Sequence, residues 1–331
     1  MGSATAGAFV PDTMTRSLTR AFSWAMLAAL PAFLLNNYLT VAQGWPGPLA
    51  ALGSERTEQS GAQLAILLML VIGGALFGLR HVAVPLRKQA ERITAFNVFL
   101  VRAAFWGVLL VGLADFAISF LRVENMLDQV IGHALSAEMA RPQFRGPYLH
   151  VPLLLLGVAL ALFTRTLGFT WLALLIVLAE LGIVISRFVF SYEQAFMGDL
   201  VRFWYAALFL FASAHTLLED GHVRVDVFYA GMKSRTKGFI NAWGSILLGI
   251  TFCWVILITG MDGKTAIINA PVINYEVSQS GFGMYVKYLM AGYLGLFAIT
   301  MLIQFVAYLL ESVADLHGEP ASRQPAAAPT H

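Results

Sequence analysis

Eight long apolar stretches divide the sequence and constrain its fold more than any other feature. A helix needs about 20 apolar residues to cross a bilayer. Because the backbone in lipid must satisfy its own hydrogen bonds, apolar stretches of this length form helices. The fourth stretch is short, and only four residues separate it from the fifth. The eight predicted spans are residues 21–43, 62–79, 95–121, 149–163, 168–190, 200–217, 240–260 and 284–310.

The composition excludes a soluble globular protein. Of the 331 residues, 58% are hydrophobic and 12% are charged, against roughly 25% charged residues in a soluble domain. The 21 Lys and Arg residues barely outnumber the 19 Asp and Glu residues, so no charge excess favours nucleic acid as a partner. The single Cys253 excludes an internal disulfide and a zinc site built on several cysteines. The predicted fold is an all-α integral membrane protein with about eight transmembrane helices.

The positions of the basic residues predict the orientation of the chain. Cytoplasmic loops of membrane proteins carry an excess of Lys and Arg. Two compact loops, after the second and the sixth stretch, carry four positive charges each. If both face the cytoplasm, so do both termini, and the chain is a multi-pass protein. The charges are Arg80, Arg87, Lys88 and Arg92 in one loop, and Arg224, Lys233, Arg235 and Lys237 in the other.

The two ends of the chain are predicted to lie outside the membrane. Residues 1–20 form a cytoplasmic N-terminus, and Arg16 and Arg20 precede the first apolar stretch as basic residues precede the core of a signal peptide. The stretch continues through Asn36 to about Gln43 with no clean cleavage site, which favours an uncleaved anchor. Residues 316–331 are rich in Pro and Ala without apolar periodicity and are predicted to be a disordered cytoplasmic tail.

Short similar sequence segments in the two halves of the chain suggest an internal repeat. Phe22-Ser23-Trp24 corresponds to Phe169-Thr170-Trp171, and Gly146-Pro147-Tyr148 corresponds to Gly283-Met284-Tyr285. With four spans in each half, the two copies would be parallel repeats. The division would be a first four-helix region, 21–164, and a second, 165–315. The alternative is chance agreement between apolar segments.

Three polar motifs follow one another in the second half. Arg187 lies near the end of the fifth stretch, and Asp199 and Arg202 lie where the sixth begins. A loop with the sequence Gly-His-Val-Arg-Val-Asp follows the sixth stretch. The alternate spacing of its polar residues places their side chains on one face of an extended segment. We expect this loop to lie at the membrane interface; its polar residues are His222, Arg224 and Asp226.

These motifs resemble the small permease subunit of tripartite ATP-independent periplasmic (TRAP) transporters, the DctQ-like family. The resemblance covers about residues 168–311, and the loop with His222 is its most specific part. It implies a bacterial inner-membrane scaffold subunit, not an enzyme. The implied partners are a large, DctM-like permease subunit and a periplasmic substrate-binding protein, with which it imports organic acids along an ion gradient. The resemblance makes the six motif residues candidate subunit-interface or structural positions: Arg187, Asp199, Arg202, His222, Arg224 and Asp226.

Three charged residues fall inside predicted spans. Glu180 lies mid-span, where a charge costs at least ~2.5 kcal/mol, so it needs a protein partner, water or a proton. Its predicted roles are an interhelical or intersubunit contact, a proton-sensitive site, or a neutral carboxyl that helps helices pack. Asp115 and Arg102 lie about 20 Å apart along one helix, so each needs a partner elsewhere. Arg102, near the predicted cytoplasmic end, could also reach the interface directly.

Two other functions remain as alternatives at this point. The chain could be the membrane anchor of a respiratory enzyme that passes electrons to quinone, or a secondary carrier that works alone. Haem-binding anchors place paired histidines inside spans, whereas here only His215 clearly lies within one. The sequence therefore predicts no cofactor, no metal and no catalytic residue.

Overall fold

The computed structural model describes residues 14–54, 56–165, 169–218, 229, 231–278 and 283–319. Within these ranges the chain forms helices, turns and irregular connections, and no strand. The predicted all-α class is therefore confirmed. Most of the loop with His222, Arg224 and Asp226 lies outside the described residues, as does most of the predicted tail.

Eight helices in the described ranges are long and apolar enough to cross a membrane, as the sequence predicts. Six of these spans are single uninterrupted α-helices. Four of the six have 22 to 28 residues: α1 (Met14–Val41), α2 (Glu58–Arg80), α8 (Phe169–Phe190) and α9 (Ala195–Leu218). Two are longer, α3 (Leu86–Val123) and α13 (Lys287–Leu316). The remaining two spans, 142–163 and 234–260, are each built from two α-helices joined by a π-helical turn.

The fourth span is longer than the sequence predicts. It begins with α6 (Pro142–Arg145), continues through a π-helical turn (Gly146–His150) and ends with α7 (Val151–Phe163). The apolar stretch starts only near residue 149, because the first turns carry Gln143 and Arg145. The seventh span has the same construction, with α10 (Ser234–Gly244), a π-helical turn (Ser245–Ile250) and α11 (Thr251–Gly260).

Short helices occupy the connections. A 3₁₀-helix (Pro48–Leu52) precedes α2, and α4 (Leu127–Ile131) and α5 (His133–Met139) follow α3. The last short helix, α12 (Asn269–Asn274), lies between the seventh and eighth spans. It ends at Tyr275, whose φ of 49° is left-handed.

The helices group into two compact units that interleave along the chain. Of the described residues, the first comprises 14–54, 56–93, 229, 231–248 and 305–319, and the second comprises 94–165, 169–218, 249–278 and 283–304. Each unit therefore contains residues from both sequence halves. The four-helix repeat and its boundary near residue 164 stay predictions.

In the first unit, small residues bring α1 and α2 together. A Cβ at Gly74 would lie 2.6 Å from Ala28 Cβ, and one at Gly78 would lie 2.5 Å from the Arg20 carbonyl oxygen. The Arg20 guanidinium donates to the carbonyls of Val82 and Val84. Elsewhere in this unit Glu319 forms a buried ion pair with Arg16.

In the second unit, α3 packs closely against α7. A Cβ at Gly157 would lie 2.6 Å from the Gly107 backbone nitrogen, so the two helices touch backbone to backbone. Polar contacts tie α3 to α13 in the same unit, where Asn97 Nδ2 donates to the Thr300 carbonyl at 2.9 Å. The helix α8 packs against α9 and leaves most of its apolar side chains exposed.

Candidate functional site

A buried polar cluster in the second unit surrounds Asp115 on α3. This carboxylate is fully buried, and a buried charge is costly unless it is paired and hydrogen-bonded. Its Oδ1 accepts from Arg145 Nη1 at 2.8 Å, and Arg145 is fully buried as well. Arg145 also donates through Nε to the Met139 carbonyl at 2.8 Å. The partner that Asp115 requires is therefore an arginine at the start of the fourth span.

A buried histidine extends this cluster towards the last helix. His150 Nε2 lies 3.1 Å from Asp115 Oδ1, and its Nδ1 lies 2.8 Å from the Tyr288 hydroxyl. Because an ionised carboxylate only accepts, Nε2 carries the proton and Nδ1 accepts from Tyr288. A continuous hydrogen-bonded chain thus runs from Tyr288 through His150 and Asp115 to Arg145.

Two carboxylates hold the segment that leads into α13, which we call the lead-in (residues 275–278 and 283–286). Asp115 Oδ2 accepts from the Tyr285 backbone N–H at 2.7 Å. Asp199 Oδ2, near the start of α9, accepts from the Met284 backbone N–H at 3.0 Å and from the Ser278 hydroxyl at 3.1 Å. Adjacent backbone donors therefore bind carboxylates from two different helices, which fixes where α13 begins.

The Tyr285 side chain lies between two cations. The guanidinium carbon of Arg145 lies 4.1 Å from the ring centre and that of Arg122 lies 4.7 Å from it. Both distances fall within the range of cation–π attraction. Arg122 also donates to the Gly283 carbonyl at 3.0 Å, and the Tyr285 hydroxyl donates to the Ala140 carbonyl at 3.0 Å.

Gly146 allows the fourth span to approach this cluster. A Cβ at this position would lie 2.4 Å from Tyr275 Cε1 and 3.3 Å from the Tyr288 hydroxyl. The π-helical turn that begins at Gly146 ends at His150, and it brings His150 and Arg145 to the same carboxylate. Rare π-helical turns often occur at functional sites.

The other predicted residues lie elsewhere. Arg202 is close to Asp199, with 3.4 Å between Arg202 Nη1 and Asp199 Oδ1, and its side chain is exposed. Arg187 forms an exposed ion pair with Glu193 at 3.3 Å. Exposed pairs of this kind contribute about 0–1 kcal/mol. His222, Arg224 and Asp226 lie outside the described residues.

Arg102 binds the end of α7. Its Nη1 donates to the Thr164 carbonyl at 2.7 Å and to the Ala161 carbonyl at 3.2 Å. These are carbonyls of the last turn of a helix, which have no partner within the helix. A cation there also interacts favourably with the helix dipole. Arg102 therefore has a helix-capping role rather than simply reaching for the membrane interface.

Glu180 faces outwards from α8. Its side chain is exposed, and the described part of the chain offers it no hydrogen bond or ion pair. The interpretation that it bonds a neighbouring helix of this chain does not match this placement. An intersubunit contact stays a prediction.

Sequence reasoning missed Arg145, His150, Tyr285 and Tyr288. One signal for them was present, because the matched words 146–148 and 283–285 lie beside these residues in the sequence. The match suggested that the two segments are related in sequence, but it did not indicate that they lie next to each other in the fold. Among the described residues, no group of three or more His, Cys, Asp or Glu side chains is arranged to hold a metal ion.

The loops at this end of the second unit carry two further pairs. Burial and the hydrogen bond that Tyr192 donates to Glu124 Oε1, at 2.6 Å, raise the pKa of Tyr192 to about 12. His133 Nδ1 lies 2.9 Å from Asp128 Oδ2. That hydrogen bond, followed by the charge of Asp128, raises the pKa of His133, and it lowers the pKa of Asp128.

We expect the His133 ring to titrate above its ordinary pKa of 6.5. The pairing of protonated His133 with Asp128 stabilises the folded protein fully below the ordinary pKa of histidine. This contribution is lost as the pH rises through the raised pKa of His133. The stabilisation from the carboxylate is lost as the pH falls through the lowered pKa of Asp128. NMR of histidine-labelled protein measures the His133 pKa, and Asp128→Asn should return it towards 6.5. An unchanged pKa in that variant would exclude the pair.

Residues 174–314 match the family model of the DctQ component of tripartite ATP-independent periplasmic transporters. The matched region contains Asp199 and the lead-in, whereas Asp115, Arg145 and His150 precede it. The resemblance inferred from the three motifs is confirmed. The comparisons with curated proteins and with solved structures give no match.

Proposed function

Since residues 174–314 match the family model of the DctQ component of tripartite ATP-independent periplasmic transporters, we propose that the chain is the small permease subunit of such a transporter. In this role it is a membrane scaffold rather than an enzyme. It works beside a large, DctM-like permease and a periplasmic substrate-binding protein in the uptake of organic acids along an ion gradient. The family match carries this proposal.

The outer face of α8 supports an intramembrane partner. Its exposed apolar residues recur at helical spacing, on the side of the helix that turns away from α9. Glu180 flanks this face in the middle of the span. A carboxyl group exposed to hydrocarbon is costly, so a donor on a neighbouring protein would stabilise it. The outer face comprises Leu174, Val177, Leu181, Val184 and Phe188.

Copurification tests the proposal. A tagged chain, produced together with a DctM-like large permease, should retain that permease in mild detergent. Leu181→Trp and Glu180→Gln should each reduce its recovery several-fold. Leu162→Trp is the matched control, because Leu162 is an exposed apolar residue of α7, on another helix. Recovery of the chain alone in the mildest detergents would contradict the proposal.

The histidine geometry argues against the respiratory-anchor alternative. His150 is fully buried, but Asp115 and Tyr288 occupy both of its ring nitrogens. It therefore offers no free nitrogen as an axial haem ligand. A Soret band in the purified protein would favour the anchor, and solute uptake by the chain alone in liposomes would favour a self-sufficient carrier.

We also propose that both termini face the cytoplasm, as the basic loops favour. The loops at the Asp115 end of the second unit would then face the periplasm, where a binding protein can reach them. Ala134→Cys, on α5, should react with an impermeant maleimide in intact cells. Ser234→Cys, at the start of α10, should react only after permeabilisation. The native Cys253 is buried and should contribute little background; the reverse labelling pattern would contradict this orientation.

A further inference from the structure

A groove runs between α8 and α9 within the second unit. It consists of two adjoining cavities of about 480 and 330 Å³, both lined by Ile183 and Met197. The smaller cavity lies between the helices, with Phe116 of α3 contributing to its wall. The larger opens where the loop joins α8 to α9. This groove lies on the opposite side of α8 from the outer face described above.

The smaller cavity is apolar and runs along the middle of α8, on both sides of the level of Glu180. Its wall on α8 extends from Leu175 to Ser186, which is about 16 Å along a helix. Half of a bilayer's hydrocarbon core, which is about 30 Å thick, has nearly the same length. The space beside Gly182 is open, because a Cβ there would meet no atom within 4 Å. The dimensions fit an extended acyl chain.

The larger cavity carries charges of both signs. Glu193 and Asp199 contribute carboxylates and Arg202 contributes a guanidinium. Arg202 is 75% exposed, and its 3.4 Å contact with Asp199 is longer than a good charge-assisted hydrogen bond. Its planar guanidinium can therefore donate to a phosphate. Glu193 is 53% exposed and already pairs with Arg187 at 3.3 Å, an exposed contact that leaves its second oxygen able to accept from a further cation.

We propose that this groove binds one phospholipid with a zwitterionic, primary-amine headgroup of the phosphatidylethanolamine type. An acyl chain lies between α8 and α9, the phosphate meets Arg202 and the ammonium meets Glu193. A primary ammonium donates hydrogen bonds to carboxylates, whereas a choline group has no N–H to donate. A lipid with net negative charge has no ammonium to offer Glu193.

Lipid bound to the purified full-length chain tests this site without any transporter partner. Native mass spectrometry should show one lipid adduct, selective for phosphatidylethanolamine over phosphatidylglycerol and phosphatidylcholine. Gly182→Trp fills the groove and should lower adduct occupancy at least tenfold. Val184→Trp, two residues away on the exposed outer face of α8, is the matched control and should retain the adduct. Equal occupancy in the Gly182→Trp variant and the unaltered protein would overturn the proposal.

Two further measurements remain informative if the Gly182→Trp variant does not fold. Arg202→Gln leaves the apolar section intact and should abolish the preference for phosphatidylethanolamine while retaining some lipid. A photocrosslinking amino acid at position 182, in native membranes, should yield an adduct of lipid mass. Unchanged headgroup preference in Arg202→Gln, or a crosslink to a polypeptide at position 182, would overturn the proposal.

Discussion

Replacing Asp115 with alanine should destabilise the protein by about 3–5 kcal/mol, the usual cost of breaking a buried ion pair. The variant leaves the fully buried Arg145 guanidinium without its carboxylate. It also removes the acceptor of the Tyr285 backbone N–H. Equilibrium unfolding in mild detergent, followed by intrinsic fluorescence, measures the loss.

The double variant Asp115→Leu/Arg145→Met separates a buried charge from a simple packing defect. Replacing both charged partners with apolar residues of similar volume is often nearly neutral. We expect the double variant to recover part of the stability lost in Asp115→Ala. Recovery stays incomplete because the Tyr285 backbone N–H still lacks an acceptor, which costs about 1–3 kcal/mol. Asp128→Asn, which affects an exposed pair, is the control and should change stability little. Additive losses in the two single variants and the double variant would show that Asp115 and Arg145 are not coupled.

Replacing Gly157 with leucine should separate α3 from α7 and give a loss of several kcal/mol or no folded protein. Its Cβ would lie 2.6 Å from the Gly107 nitrogen and 2.9 Å from the Gly107 Cα. These are backbone atoms, so no side-chain rotation can relieve the contact. Overpacking costs about 1–3 kcal/mol where side chains can adjust, and the cost should be higher here. The fraction of monodisperse protein after heating, by size-exclusion chromatography, measures the effect.

Gly73→Leu is the matched control for that substitution. Gly73 also lies in a membrane-spanning helix, but a Cβ there would meet no atom within 4 Å. The same side chain should therefore leave stability nearly unchanged. Equal losses of stability in the two variants would show that the effect comes from removing a glycine from a helix. It would then not come from close packing of α3 against α7.

The contacts of Asp115 and Asp199 show that the start of α13 depends on residues from both halves of the sequence. The lead-in lies inside the DctQ region, yet one of its two carboxylates comes from α3, which precedes that region. Residues before the matched region therefore complete the packing at the start of α13. This interdependence also explains why the compact units do not follow the two halves of the sequence.

The sequence by itself determined the fold class, the number of spans and the similarity of its second half to the DctQ component. Apolar stretches of membrane length require backbone hydrogen bonding within a helix, so hydropathy alone located all eight. The three motifs with Arg187, Asp199 and His222 sufficed to reveal this similarity, because they are short local sequences in a fixed order. The charge of Asp115 inside a span also showed that a partner had to exist.

Only the tertiary structure decided which residue that partner is. Arg145 lies 30 positions away from Asp115 and Tyr285 lies 170 positions away, and no periodicity relates such separations. Hydropathy did not reveal the first turns of the fourth span, because it scores Arg145 as polar although its charge is paired with Asp115. Burial of the charges depends on helices meeting in space, and packing rather than local sequence sets where they meet.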